Sequence, residues 1–180
     1  MRCKNKIFLC AAIFCSFIYF SSCHSSKNAT SSLSNKDVKL SSSKVTTVAG
    51  LIGVDEKEIK NKKLYSFICD WYGTPYKYGG CDKSGTDCSC FTDNLYSAVY
   101  QKKLPRSATD MAKDCDKISS GSVKEGDLVF FKINSSEVSH VGVVLKNNKF
   151  VHATTSKGVV INDINETYYK KYFYCYGKIK

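Results

Sequence analysis

The sequence predicts an α+β domain, and three observations carry that reading. Apolar residues recur at intervals of three and four between Leu64 and Val99, as amphipathic helices require. Beyond Gly126 the pattern changes to short runs rich in Val, Ile and Phe with turn residues between them. The two kinds of segment do not alternate: helices come first and an antiparallel meander follows. A chain of 180 residues, 43% of them apolar, has room for one such domain with its own core and not for two. With 24% charged and 13% aromatic residues it is neither disordered throughout nor collagen-like. The net charge of +11 is diffuse lysine, because Arg2 and Arg106 are the only arginines. That balance allows contact with a polyanion but supplies no arginine-rich reading surface.

Residues 1–22 read as an export signal. Arg2, Lys4 and Lys6 form a positive start, and Ile7 to Phe20 is an uncharged apolar run. The run is shorter than the ~20 residues of a comfortable membrane span. Phe20-Ser21-Ser22-Cys23 then resembles a bacterial lipobox, with Phe20 where such boxes usually carry Leu, which implies a lipid on Cys23. Residues 24–46 are rich in serine and contain no Phe, Tyr or Trp, too little apolar surface to offset the entropy of ordering. The expected organisation is a lipoprotein signal peptide over 1–22, a lipid-anchored flexible linker over 23–54 and a folded domain over 55–180.

Within the domain, Asp55 and Glu58 make a capping-box pattern ahead of Leu64, Phe67, Ile68 and Trp71, and Gly73 and Pro75 stop that helix. A second helix starts at or just before Cys88 and buries Phe91, Leu95, Ala98 and Val99. Ser107 with Asp110 predicts a short third one. Strands are expected over 128–133, 138–145, 149–154, 159–161 and 173–179. A three-residue loop over 146–148 sets Leu145 opposite Lys149 and brings His140 and His152 onto one face, the face toward Cys88, with Asn148 at positive φ. A two-residue turn in the simple register would put the two histidines on opposite faces.

Chemistry concentrates at Cys88. A thiol at a helix N-terminus faces unpaired backbone N–H groups and the positive end of the helix dipole, which favour thiolate. His140 and His152 are the only histidines of the domain. One helix-start cysteine and two histidines are the minimum set for nucleophile, base and orienter. Two strand histidines also fit a purely structural role.

Six ordered motifs bear on that choice. They are Trp71-Tyr-Gly-Thr-Pro-Tyr-Lys-Tyr-Gly-Gly80, Gly85-Thr-Asp-Cys-Ser-Cys-Phe91, Leu104-Pro-Arg106, Gly126-Asp-Leu-Val-Phe-Phe131, Ser139-His-Val-Gly-Val143 and Phe150-Val-His-Ala153. In order and spacing they resemble the NlpC/P60 family of bacterial cell-wall peptidases, over about residues 60–180. The resemblance implies a papain-like fold in which a helix carrying the cysteine packs on an antiparallel sheet carrying the base. It implies Cys88 as nucleophile, His140 as base and His152 as the residue that orients it. It implies Tyr78 as a tyrosine near the thiolate, and Asp87 and Ser89 flanking the place where the free amine of a stem peptide is held. One position departs from the family: Cys90 stands where glycine is usual.

The expected activity is that of a cysteine endopeptidase on peptidoglycan stem peptides, the resemblance implying the bond between γ-D-glutamate and the diamino acid. Amidase or acyl-transfer chemistry on the same fold is a rival, as is a non-catalytic lipoprotein held to anionic wall polymer. No cofactor is expected. Cys88 and Cys90, two apart and without a further ligand pair, do not make a zinc site. The expected setting is the bacterial cell envelope, the protein a monomer tied to a membrane by the lipid on Cys23, facing the periplasm if there are two membranes. Nucleic-acid binding suits the charge but not an export signal. Beyond Cys23 the exported chain keeps Cys69, Cys81, Cys88, Cys90, Cys115 and Cys175, whose pairing spacing does not reveal.

Overall fold

The computed structural model describes residues 45–180. The signal segment 1–22, Cys23 and most of the expected linker lie outside the described residues. Folded structure nevertheless reaches well back of Asp55. Residues 45–52 are helical (α1), and Val45, Val48, Ala49 and Ile52, spaced to share one helix face, are buried in the main core. The domain boundary expected at Asp55 is therefore corrected: the folded core takes in the described residues from Val45 onward. Serine-rich composition on the N-terminal side masked a four-residue apolar stripe.

The capping-box expectation also changes. Asp55 caps only a single 3₁₀ turn, Glu56–Glu58, and α2 (Lys62–Trp71) starts separately with the Asn61 side chain accepting from Leu64 N–H at 3.1 Å. Gly73, at φ 79°, follows the end of α2. A two-stranded hairpin, β1 (Cys81–Asp82) with β2 (Gly85–Thr86), leads into α3 (Cys88–Tyr100). On α3 Phe91, Leu95 and Tyr96 are buried, whereas Ala98, expected inside, is exposed. Ser107 caps α4 (Ala108–Lys113) as expected.

Six strands form one antiparallel sheet: β3 (Cys115–Ile118), β4 (Leu128–Phe131), β5 (His140–Val144), β6 (Lys149–Thr154), β7 (Gly158–Asp163) and β8 (Phe173–Ile179), in the order β3-β8-β4-β5-β6-β7. All four residues of β4 are buried because both faces of the sheet are covered. Leu128 and Phe130 enter the cluster made with α1, α2 and α3, while Val129 and Phe131 enter a second cluster with Ile164 and Tyr169. Tyr169 comes from α5 (Thr167–Tyr172). Sequence periodicity anticipated neither β3 nor α5. Tyr168, Tyr169 and Tyr172 ride on that helix, Tyr169 within the second cluster and Tyr172 packed against it.

Candidate active site

Asp87 determines where α3 begins. Its Oδ1 accepts from Cys90 N–H at 2.8 Å, capping the helix and placing Cys88 in the first turn. Cys88 is only 8% exposed. Burial pushes its pKa up to about 11, with the Asp87 charge adding to the rise, against lowering hydrogen bonds from the backbone N–H groups of Val141, Ser89 and Cys88 itself. Loss of water thus outweighs the helix-start donors and pulls the group toward the neutral thiol, against the thiolate that a helix start favours.

The β5–β6 hairpin brings the histidines together by a route the sequence did not show. Asn147 and Asn148 both lie in the left-handed region, at φ 54° and 55°, and Lys149 N–H donates to Lys146 C=O at 3.1 Å. That is a two-residue turn. Leu145 N–H also reaches Lys149 C=O, at 2.7 Å, so Lys146 is an extra, bulged residue. The bulge yields the expected register, with Val143 opposite Val151 and Val144 opposite Phe150. His140 and His152 therefore share a face. His140 Nε2 lies 2.6 Å from His152 Nδ1. Gly142 stands between them because a Cβ there would come within 2.7 Å of the Phe150 ring and 3.2 Å of His152 Cβ.

The shared face is not the one packed by α3, which corrects the remaining part of that expectation. Val141, Val143, Val151 and Ala153 join Phe91 and Leu95 of α3 in the main core, whereas Val144 and Phe150, in phase with the histidines, join the second cluster. Cys88 meets the histidines at the end of the strands. β5 pairs with β6 at Val143 and Val144 and not as far as His140, so the two strands part there, and Val141 N–H, in the parted stretch, bonds to the Cys88 sulfur. Cys88, His140 and His152 line one cavity of about 480 Å³. Burial first, and His152 second, hold His140 well below the usual histidine range; burial lowers His152 to about 4, opposed by a hydrogen bond to Asn162 and the Glu166 charge. His152 Nε2 lies 3.0 Å from Asn162 Oδ1, and Asn162 Nδ2 donates to both oxygens of Glu166 at 3.0 and 3.1 Å. Neither Asn162 nor Glu166 was among the sequence candidates. The β6–β7 register, His152 opposite Val160, sets Asn162 diagonally beside the histidine and would have found it.

The residues expected to hold substrate fare differently. Tyr78 is 90% exposed, at the tip of a turn closed by Gly80 N–H to Lys77 C=O at 2.9 Å, so it is not the tyrosine near the thiol. Tyr76 is. It bridges to Thr86, lines the cavity with Cys88, and has its phenol pKa raised by burial and then by the Cys88 charge. Asp87 and Ser89 are buried and do not line that cavity. Asp87 Oδ1 accepts from Ser89 Oγ at 3.0 Å, Cys90 N–H and Arg106 Nη1 at 3.1 Å; Oδ2 accepts from Gly79 N–H at 3.0 Å and Arg106 Nη2 at 2.6 Å. Burial works against the Asp87 carboxylate, but Arg106, Cys90 N–H and Ser89 outweigh it and hold its pKa below the ordinary value. In this structure those lone pairs are occupied, and the pair fixes the start of α3. Asp93, buried in α3, accepts from Leu104 N–H at 2.9 Å and pairs with Lys103, which brings the following Arg106 back to Asp87. Cys90 is joined to Cys81 by a disulfide and presents no second thiol. Among the described residues no group of three His, Cys, Asp or Glu side chains is placed to hold a metal ion.

A helix-borne cysteine at the parted end of an antiparallel sheet that carries a histidine pair defines a papain-like α+β domain. Residues 73–178 match the NlpC/P60 family, and the chain belongs to that family. It is 41% identical over 111 residues to a probable endopeptidase NlpC homolog of Haemophilus influenzae, covering 62% of this chain and 58% of that protein. It is 38% identical over 114 residues to the murein DD-endopeptidase MepS/murein LD-carboxypeptidase of Escherichia coli K12, covering 63% and 60%. The chain thus spans about three fifths of the length of these curated relatives. A crystal structure of a lipoprotein-like NLP/P60 protein of Staphylococcus aureus superposes with a TM-score of 0.60 at 26% identity, over 66% of this chain and 40% of that one.

Proposed function

We propose that the protein is a cysteine endopeptidase that hydrolyses the peptide stems of peptidoglycan, at the γ-D-glutamyl–diamino acid bond. The observation that carries the chemistry is the opening of Cys88 onto the same cavity as a histidine pair in 2.6 Å contact. The peptidoglycan endopeptidases among the relatives support the substrate class. As the Cys88 sulfur attacks the amide carbonyl, His140 takes the thiol proton, so thiolate forms during the reaction and need not exist beforehand. Backbone N–H groups at the start of α3 not already taken by Asp87 would supply donors for the oxyanion. His140 returns the proton to the leaving amine, and water, deprotonated by the same ring, releases the acyl group and restores the thiol. An export signal over 1–22 and a lipid on Cys23 would hold the enzyme at a membrane of the cell envelope.

Digestion of purified muropeptides, with mass analysis of the products, tests this reading. Wild-type protein is expected to yield hydrolysed stems and Cys88→Ala none. Products carrying a new amine instead of water would replace hydrolysis by acyl transfer. An Ala variant that cuts at the wild-type rate would remove Cys88 from the chemistry.

A further inference from the structure

The triad leaves one question of protonation open, and the groups behind His152 answer it. Glu166 sits at the N-cap position of α5 but does not cap that helix; its carboxylate turns back to Asn162 and accepts Asp163 N–H at 2.9 Å. Carboxylate oxygens only accept, so the Asn162 amide must present Nδ2 to Glu166 and Oδ1 to His152. Tyr169 Oη, 3.3 Å from Asn162 Oδ1, donates to the same oxygen. His152 then carries its hydrogen on Nε2, the nitrogen facing Oδ1. A neutral imidazole with a hydrogen on Nε2 has a bare Nδ1, and that atom accepts from His140 Nε2. His140 Nδ1 is left as the unprotonated nitrogen.

We propose that Glu166 and Asn162 are positioning residues which, acting through His152, lock His140 in the tautomer with Nδ1 free to take the Cys88 proton. The inference rests on the thiol–imidazole chemistry proposed above. Without Glu166 the Asn162 amide is free to turn over. A flipped amide presents Nδ2–H to His152, moves that ring's hydrogen to Nδ1, obliges His140 to accept at Nε2, and so puts a hydrogen on the nitrogen that must be bare. The site is closed enough for this order to persist. Phe150 packs on His152 with ring centroids 4.4 Å apart, and Phe131 on His140 at 5.9 Å. The ionisable groups facing the pair are Cys88 of α3, Glu166 just before α5, Tyr168 and Tyr169 of α5, and Tyr76 and Lys157 at the cavity wall. On β7 the Asp163 carboxylate is turned away, to Lys149 and Asn165 N–H.

Two-bond proton–nitrogen NMR of the histidine rings reads the tautomers without any substrate. In wild-type protein at pH 7.5 both rings are expected to carry hydrogen on Nε2. In Glu166→Ala and Asn162→Leu, His152 should shift toward the Nδ1–H form, and kcat on muropeptides should fall roughly 10- to 100-fold, part of the ~10²–10⁴-fold that positioned acid–base catalysis supplies. KM and the melting temperature should stay close to wild type. Glu166→Gln, whose amide oxygen still accepts from Asn162, should restore both the tautomer and most of kcat. A wild-type His152 with hydrogen on Nδ1 would overturn the proposal, as would Glu166→Ala with unchanged tautomers and unchanged kcat. If wild-type protein cleaves no muropeptide, the functional reading falls while the NMR comparison still decides the relay.

Discussion

Cys81 and Cys90 are joined by a disulfide, with their Cα atoms 5.3 Å apart, so the β1–β2 hairpin is stapled to the first turn of α3 beside Cys88. Cys90, where the family resemblance implies a glycine, is half of a bridge, with Cys81 as the other half. The backbone N–H of Cys90 still caps α3 through Asp87, and that bond does not need the sulfur.

A bridge that closes a loop with a sequence separation of 9 should contribute about 2–3 kcal/mol, chiefly by restricting the unfolded chain. The double variant Cys81→Ser/Cys90→Ser should therefore unfold at lower urea concentration than wild type and keep most of its activity at 25 °C. Cys90→Gly alone would leave an exposed thiol at Cys81 and should form intermolecular dimers. Peptide mapping after alkylation checks the premise. Modification of Cys81 and Cys90 before any reductant is added would show that the bridge is absent.

The histidine pair should make the fold sensitive to mild acid. His152 is fully buried and titrates at about 4, against an ordinary 6.5. An unfolded chain takes up that proton as pH falls below 6.5, while the folded one resists until about 4. Stability is therefore whole above pH 6.5 and declines between 6.5 and 4, by about 3 kcal/mol for a shift of this size. Asp87, held below the ordinary carboxylate range, acts with the same sign but only at lower pH. Urea midpoints at pH 7 and pH 5 should differ clearly in wild type and less in His152→Gln, where buried His140 keeps its own contribution. Equal differences in the two proteins would place the acid sensitivity elsewhere.

What could be read from the sequence follows from how local each signal is. The start of α3 was legible because Asp87, Cys88 and the apolar spacing of Phe91 and Leu95 lie within nine residues. β6 and β8 were legible because each is an unbroken run flanked by turn residues. β3 was not, since Asp116 and Lys117 interrupt its apolar pattern at an edge where they face solvent. Tyr76 and Tyr78 have the same strand parity, and only the bridge to Thr86 and the turn at Gly79 separate the buried ring from the exposed one. The Arg106–Asp87 pair and the Asn162–Glu166 relay depend on long-range register, which motif spacing does not encode. The upward pull on the Cys88 pKa comes from burial by residues on other elements, and no rule about helix starts could have supplied it.

The hairpin that brings His140 to His152 rests on two consecutive asparagines at positive φ, and the two are not equivalent. Asn148 contributes its backbone conformation, which glycine adopts without cost. Asn147 also donates from Nδ2 to Ile52 C=O at 3.1 Å and Gly53 C=O at 2.9 Å, tying the turn to the end of α1. Asn148→Gly should thus leave stability within a few tenths of a kcal/mol, while Asn147→Gly should lose about 1 kcal/mol with its two hydrogen bonds. Asn148→Val, a β-branched residue forced into the left-handed region, should cost ~1–2 kcal/mol. Its second effect is more telling. If the turn relaxes by absorbing the Lys146 bulge, the register slips by one residue and His140 leaves the face of His152, so kcat should collapse even where circular dichroism reports a folded chain. Denaturant titration alongside muropeptide cleavage separates the two effects. Full activity per folded molecule in Asn148→Val would mean that the bulge, not the asparagine backbone, holds the register.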